Sequence, residues 1–277
     1  MYKTLPNLRF ISIDKLFNHE AYDEIQVQRL LDQIKRDGCL RNPIIVAQLP
    51  SSDKILVLDG VSRINALKEI GCRDVIVQKV DYTNPLIHLD SFCWVIESVS
   101  RPQVENRLSA LGFFGIPSSP EEGIRKIANN QAVLYFLFKD GSGLHVPLKT
   151  DILYERIEAL RLITESFNNI FENHIIDQPV DYSMLFNRFD KGNVLSVFPK
   201  FTKEDVLYAA ENGFHLPFGV TTFSIPDRVL GLSIPLSVLI SKDPVTEKDS
   251  YLLELLKIRL SKHRARYYSE SVVILND

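Results

Sequence analysis

Residues 55–66 read Ile55-Leu56-Val57-Leu58-Asp59-Gly60-Val61-Ser62-Arg63-Ile64-Asn65-Ala66. A short apolar run of strand length passes through one glycine into a segment of helical spacing. That helix extends to Ile70, with Ile64, Leu67 and Ile70 forming its buried stripe, Ala66 alongside, and Gly71 as its stop. The start of a helix offers free backbone N–H groups and the positive end of its dipole, and both favour an anion. Gly60 lets phosphate oxygens approach the main chain, Ser62 offers a hydroxyl, and Arg63 can add a charge-assisted fork. Asp59, at the strand tip, can hold a metal-bound water or receive a proton. Spacing alone leaves a second reading open, in which Asp59 caps the helix and Arg63 is solvated, because short glycine motifs match often by chance.

On both sides of this turn the first 82 residues read as a compact α/β unit. Arg9–Ile13 alternates as a half-buried strand, and Glu24–Arg36 places Val27, Leu30, Leu31 and Ile34 on one helical face before Gly38. Further strands are expected at Ile44–Val46 and at Val75–Val77 with Val80, giving one small twisted sheet with helices packed on it. From Asn84 to about Gly115 the spacing of Leu86, Leu89, Phe92 and Val95 or Ile96 predicts helix, with Pro85 near its start. Pro117-Ser118-Ser119-Pro120 is the turn-rich break that suggests two domains, 1–116 and 117–277. The second contains a strand at Ala132–Phe138, a turn at Asp140–Gly143, and helices at Ile152–Phe167 and Lys203–Asn212, the last capped by Thr202. Strands around Thr221–Ile225 and Gly231–Ile234 and a long helix at Glu247–His263 complete an α+β chain.

Composition narrows the function classes. The chain has 277 residues, 45% of them hydrophobic, and a formal charge of −3, so a strongly basic nucleic-acid binder is disfavoured. With 16 Phe and 10 Tyr to build cores, disorder is disfavoured. Apolar runs are strand-sized, Met1-Tyr2-Lys3-Thr4 does not open a secretory signal, and Cys39, Cys72 and Cys93 give no disulfide framework, so a cytoplasmic protein is expected. The six histidines (19, 88, 145, 174, 215 and 263) lack metal-ligand spacing, and there is no Walker A or protein-kinase signature. Lys257, Arg259, Lys262, His263, Arg264 and Arg266, beside Tyr267 and Tyr268, make a basic stretch. It reads either as a nucleic-acid face or as the solvated side of a helix whose Leu252, Leu255, Leu256 and Leu260 point inward.

Gly60, Arg63 and Ala66, preceded by Leu58-Asp59, fit a G-x-x-R-x-x-A box, and residues 8–82 resemble the N-terminal domain shared by the ParB and sulfiredoxin superfamily. In ParB proteins this box cradles CTP phosphates; in sulfiredoxin it carries a reactive thiol, where this chain has Val61. Sulfiredoxin chemistry is therefore out. A narrower resemblance covers nearly the whole chain. Asn18-His19-Glu20, Leu40-Arg41-Asn42-Pro43, Leu58–Arg63, Trp94, Leu216–Thr221, Ile225–Leu230 and Ile234-Pro235-Leu236 follow in order as in the free L-serine kinases of that superfamily.

The resemblance implies phosphorylation of the hydroxyl of free serine, with ATP or ADP as donor and Mg²⁺. It implies Glu20 as general base, against the plainer reading of a solvated carboxylate before a helix. Asp59 would assist through Mg²⁺ or by orienting the hydroxyl, and Gly60, Val61, Ser62 and Arg63 would hold the phosphates. Trp94 would wall the amino-acid pocket and Thr221 would hydrogen-bond there. The family's usual arginine after that threonine is Thr222 here, followed by Phe223, so the serine carboxylate falls to Arg228 unless that residue pairs with Asp227 at the surface. The alternative reading of the same box is a ParB-like nucleotide-binding, DNA-binding regulator; the near-neutral charge and the lack of a helix-turn-helix after the first domain count against it.

Overall fold

The computed structural model describes residues 6–49, 54–177, 185–189, 191–262 and 264. The chain forms two compact units, each assembled from separated stretches: residues 1–17, 24–84 and 225–277 in one, 18–23 and 85–224 in the other. The expected division at 116/117 is therefore displaced. Pro117 lies inside the second unit, paired with Leu144 in an antiparallel ladder. The second proline of the expected linker opens a helix at Pro120–Ala128, where the Ser119 hydroxyl accepts from the Glu122 N–H.

The first unit is built on a five-stranded sheet ordered Asn7–Ser12, Asp74–Val80, Ile44–Gln48, Ile55–Asp59, Leu16–Asn18. Ile44–Gln48 runs parallel to Asp74–Val80 and antiparallel to Ile55–Asp59. The helices Glu24–Asp37 and Val61–Ile70 supply Val27, Leu31, Ile34, Ile64 and Leu67 to one core with Ile44, Val46, Val57, Val75 and Val77. The helix Val245–Ser261 returns to the opposite edge, adding Leu252, and Asp249 Oδ1 accepts from the Phe10 N–H at 2.7 Å. A free edge donor is thereby closed by a carboxylate. Gly231–Ile234 contributes only Ile234–Pro235 as strand, paired with Cys39–Leu40. Gly231 and Ser233 hold left-handed φ of 67° and 45°, which breaks extended pairing. Of the basic stretch, His263 and residues 265–277 lie outside the described residues, and Arg259 donates to the Gly231 carbonyl.

The second unit corrects the helix expected over 84–115. His88–Glu97 is a strand, and only Arg101–Ala110 is helical. Strands Asn173–Asp177 and Gly192–Val197 flank residues 92–97, while Thr221–Ser224 pairs residues 88–91. Cys93, Trp94, Val95 and Ile96 are all buried, so both faces of this part of the strand are covered and its apolar residues do not alternate. Cys93 and Val95 join Tyr135, Leu137, Leu195 and Val197 on one face of the sheet. Trp94, Leu134, Phe136, Ile163, Phe167 and Phe198 close around a cavity on the other. Among the described residues no helix is long and apolar enough to cross a membrane.

Candidate active site

In the first unit the strand Ile55–Asp59 ends at Gly60, which takes φ 105° and opens the helix Val61–Ile70. That φ belongs to the left-handed region, where a side chain is strained, so glycine is the residue that permits this turn. The N-cap position falls on Gly60, which has no side chain to offer the helix start. Asp59 is paired with cations. Its Oδ2 lies 2.7 Å from Arg63 Nη2 and 3.3 Å from Arg228 Nη1. Arg63 Nη1 donates to the carbonyls of Pro43 and Asn42, at 2.8 and 3.3 Å.

The remaining motif residues of this unit gather on the same turn. Asn42 Oδ1 accepts from the Gly231 N–H at 2.9 Å, and the Arg41 carbonyl accepts from the Ser233 N–H. Thus Arg41-Asn42-Pro43, the Gly60 turn and the segment after Ile225 form one cluster. Ser62 is buried, and its hydroxyl donates to Gln26 Oε1 at 2.7 Å. Gln26 was missed in the sequence because its partner lies 36 residues away. Val61 packs into the core and contributes to the turn only through its backbone.

In the second unit Glu20 sits beside the segment that leads into Thr221. Glu20 and Leu216 form a parallel bridge; the Ala21 N–H donates to the Leu216 carbonyl and the Leu216 N–H to the His19 carbonyl. His19 is buried edge-on to Phe223 at 5.3 Å, and its Nε2 lies 4.0 Å from Glu20 Oε2. The Glu20 side chain keeps 17% of its surface exposed, so it is neither fully solvated nor sealed in. Thr221 is buried, and its Oγ1 has no hydrogen-bond partner among the described residues. Thr222 is half-buried and pairs with Asp90 in the sheet.

Trp94, expected as a wall of the amino-acid pocket, lies in the second unit. It is 3% exposed, edge-on to Phe198, and its indole N–H donates to the Gly219 carbonyl at 2.8 Å. Its grip is on the loop before Thr221. Arg228 Nη1 lies 3.3 Å from Asp59 Oδ2, a partner that neither expected reading names. Cys72 and Cys93 are buried, with their thiols pushed up by desolvation to about 11 and about 12. Such thiols are packing groups rather than nucleophiles.

No family model matches this chain. It is similar to the ATP-dependent L-serine kinase SbnI of Staphylococcus aureus, 25% identical over 245 residues that cover 87% of both chains. It is 32% identical over 95 residues to an ATP-dependent L-serine kinase of Desulfurococcus mucosus, covering 34% of this chain and 37% of the relative. In fold it is similar to a free serine kinase solved as a glutamate-to-glutamine mutant in complex with AMP. The TM-score is 0.74 at 16% identity, covering 86% of this chain and 95% of the other.

Proposed function

We propose that this chain, a relative of the L-serine kinases in sequence and of the free serine kinases in fold, is a phosphotransferase that moves a phosphoryl group from ATP or ADP to the hydroxyl of free L-serine. What carries this reading is a likeness spanning 87% of both chains, in a molecule whose first unit opens a helix on Gly60 beside two guanidinium groups. The serine oxygen attacks the terminal phosphorus, the bond to the bridging oxygen breaks, and the nucleotide leaves shortened by one phosphate. Positioning and charge neutralisation dominate such a reaction, since little covalent work falls to the protein.

Glu20 takes the proton of the serine hydroxyl. The backbone of Gly60, Val61 and Ser62 and the Arg63 fork hold the phosphates. The Ser62 hydroxyl, already bonded to Gln26, acts through its remaining lone pairs or holds the turn in shape. Thr221 offers its unpaired hydroxyl to the amino acid, and Trp94 serves that residue indirectly by fixing the Gly219 carbonyl.

Mg²⁺ tests against the same residues. Among the described residues no cluster of three or more carboxylate, histidine or cysteine groups forms a cage. A lone carboxylate at the turn suits an ion that arrives with the nucleotide and keeps most of its own water. Asp59 would hold that ion through water, and the ion would neutralise phosphate charge. Of the two, the resting partners of Asp59 are the arginines.

Incubating the protein with serine, Mg²⁺ and either ATP or ADP should yield O-phosphoserine, seen by mass spectrometry; no product with either donor rejects the proposal. Glu20→Gln should lower turnover by roughly 10²- to 10⁴-fold with an unchanged circular dichroism spectrum. Normal turnover in that variant would remove Glu20 from its role.

A further inference from the structure

Gln78 follows the apolar run Val75-Ile76-Val77 in the strand Asp74–Val80 and is 3% exposed. A buried amide in such a place is unfavourable unless both of its ends are bonded. Both are. Nε2 donates to the Asp227 carbonyl at 3.0 Å, and Oε1 accepts from the Val229 N–H at 2.9 Å. The two bonds grip the backbone on either side of Arg228, at a turn where Asp227 holds a left-handed φ of 53°. Aspartate tolerates that conformation better than most side chains, and the two bonds hold the turn in it.

The sheet register explains why this grip reaches the phosphate turn. Gln78 pairs with Ile45, and Ile45 pairs with Asp59, so Gln78 and Asp59 occupy one row across three strands. A bulge beside Ile45 brings Asp59 rather than Leu58 into that row, and two strand spacings separate Gln78 from Asp59 by roughly 10 Å. Arg228 spans that gap from the clamped turn to Asp59 Oδ2, the same oxygen that Arg63 holds.

We propose that Gln78 is a positioning residue for nucleotide binding, holding the Asp227–Val229 turn so that Arg228 stands beside Arg63 and binds the nucleotide phosphates rather than the serine carboxylate. This rests on the phosphotransferase reading for the identity of the anion. One carboxylate oxygen now holds both guanidiniums, so an incoming phosphate meets a pair of forks already arranged around a single negative atom. Removing Gln78 leaves Arg228 present but unaimed.

The test is calorimetric titration with ADP of the wild type, Gln78→Met, Arg228→Met and the double variant, alongside serine KM and thermal melts. Each single variant should weaken ADP about tenfold, and the double variant should bind no more weakly than Arg228→Met, because the two residues act as one unit. Serine KM should stay within about twofold, as a shared loss of folding would not leave it. ADP affinity at the wild-type level in Gln78→Met, multiplied losses in the double variant, or an effect confined to serine KM would each overturn the assignment. Should Gln78→Met melt below the assay temperature, Gln78→Glu, which keeps the acceptor for the Val229 N–H, is read on the same scale. A wild type that binds ADP yet forms no phosphoserine rejects the kinase reading, and the titrations still decide Gln78. No ADP binding by the wild type overturns both.

Discussion

Trp94 donates its indole N–H to the Gly219 carbonyl at 2.8 Å, joining residues 125 positions apart in sequence. Gly219 needs its left-handed φ of 68°, and a Cβ there would come within 2.5 Å of Ile175 Cδ1. The loop from Leu216 is thus fixed by backbone geometry on one side and by the indole on the other. Trp94→Phe keeps an aromatic ring and deletes the donor, leaving a buried carbonyl unpaired at a cost of about 1–3 kcal/mol. The expected result is a lower denaturant midpoint and a serine KM raised severalfold, with ADP affinity unchanged. An unaltered midpoint would mean that water replaces the indole.

The contrast between Val61–Ile70 and His88–Glu97 shows what a single sequence carries. The helix is bounded by two glycines in left-handed conformation, a local signal, and its limits follow from local reading. The strand is not legible locally, because Leu89, Phe92 and Val95 also fit helical spacing. Its partners at 173–177, 192–197 and 221–224 are set by distant chain, and no local pattern announces them. Phe92, Trp94, Val95 and Ile96, aromatic and β-branched together, were the available warning. The site divides in the same way. The Gly60 turn is local and legible, whereas the turn of Arg228 toward Asp59 depends on Gln78, which in sequence is one polar residue in a strand.

Asp59 in the resting turn competes with any phosphate for Arg63 and Arg228. Asp59→Asn removes the competing charge while keeping the shape. Titrated with ADP in the presence of a chelator, this variant should bind about threefold to tenfold more tightly, since a charge-assisted contact is exchanged for a neutral one. Phosphoserine turnover should nevertheless fall about 100-fold or more, if the carboxylate assists the transfer. Weaker ADP binding under chelation would show that Asp59 orders the turn rather than occupying it.

Burial sets the thiol chemistry. Cys72 is raised from 9.0 to about 11 and Cys93 from 9.0 to about 12, because desolvation disfavours the thiolate. At pH 8 their thiolate fractions are on the order of 10⁻³ and 10⁻⁴. Iodoacetamide on the native protein should therefore label Cys39, which is partly exposed, and spare the other two until urea is added. The linkage follows the same sign. The unfolded thiols ionise first, so their contribution to stability is whole below about pH 9 and fades as pH rises toward 11–12. Labelling of Cys93 at pH 8 without denaturant would reveal opening of the second unit's sheet.

The C-terminal helix is pinned to the first unit by charge as well as by Leu252. Lys248 is 2% exposed, and its Nζ lies 3.2 Å from Asp74 Oδ2 and 3.3 Å from the Leu239 carbonyl. Asp74 opens the strand that carries Gln78, so the pair ties the helix to that strand. Breaking a buried pair by deleting one partner leaves the other charge without compensation, which costs about 3–5 kcal/mol. Lys248→Met should lose stability on that scale in urea, and pairing it with Asp74→Asn should recover a large share, because the stranded charge is then gone. If the double variant is no more stable than Lys248→Met, the loss comes from packing of the lysine stem against Phe10, whose ring centroid lies 6.0 Å from Nζ, and the ion pair contributes little.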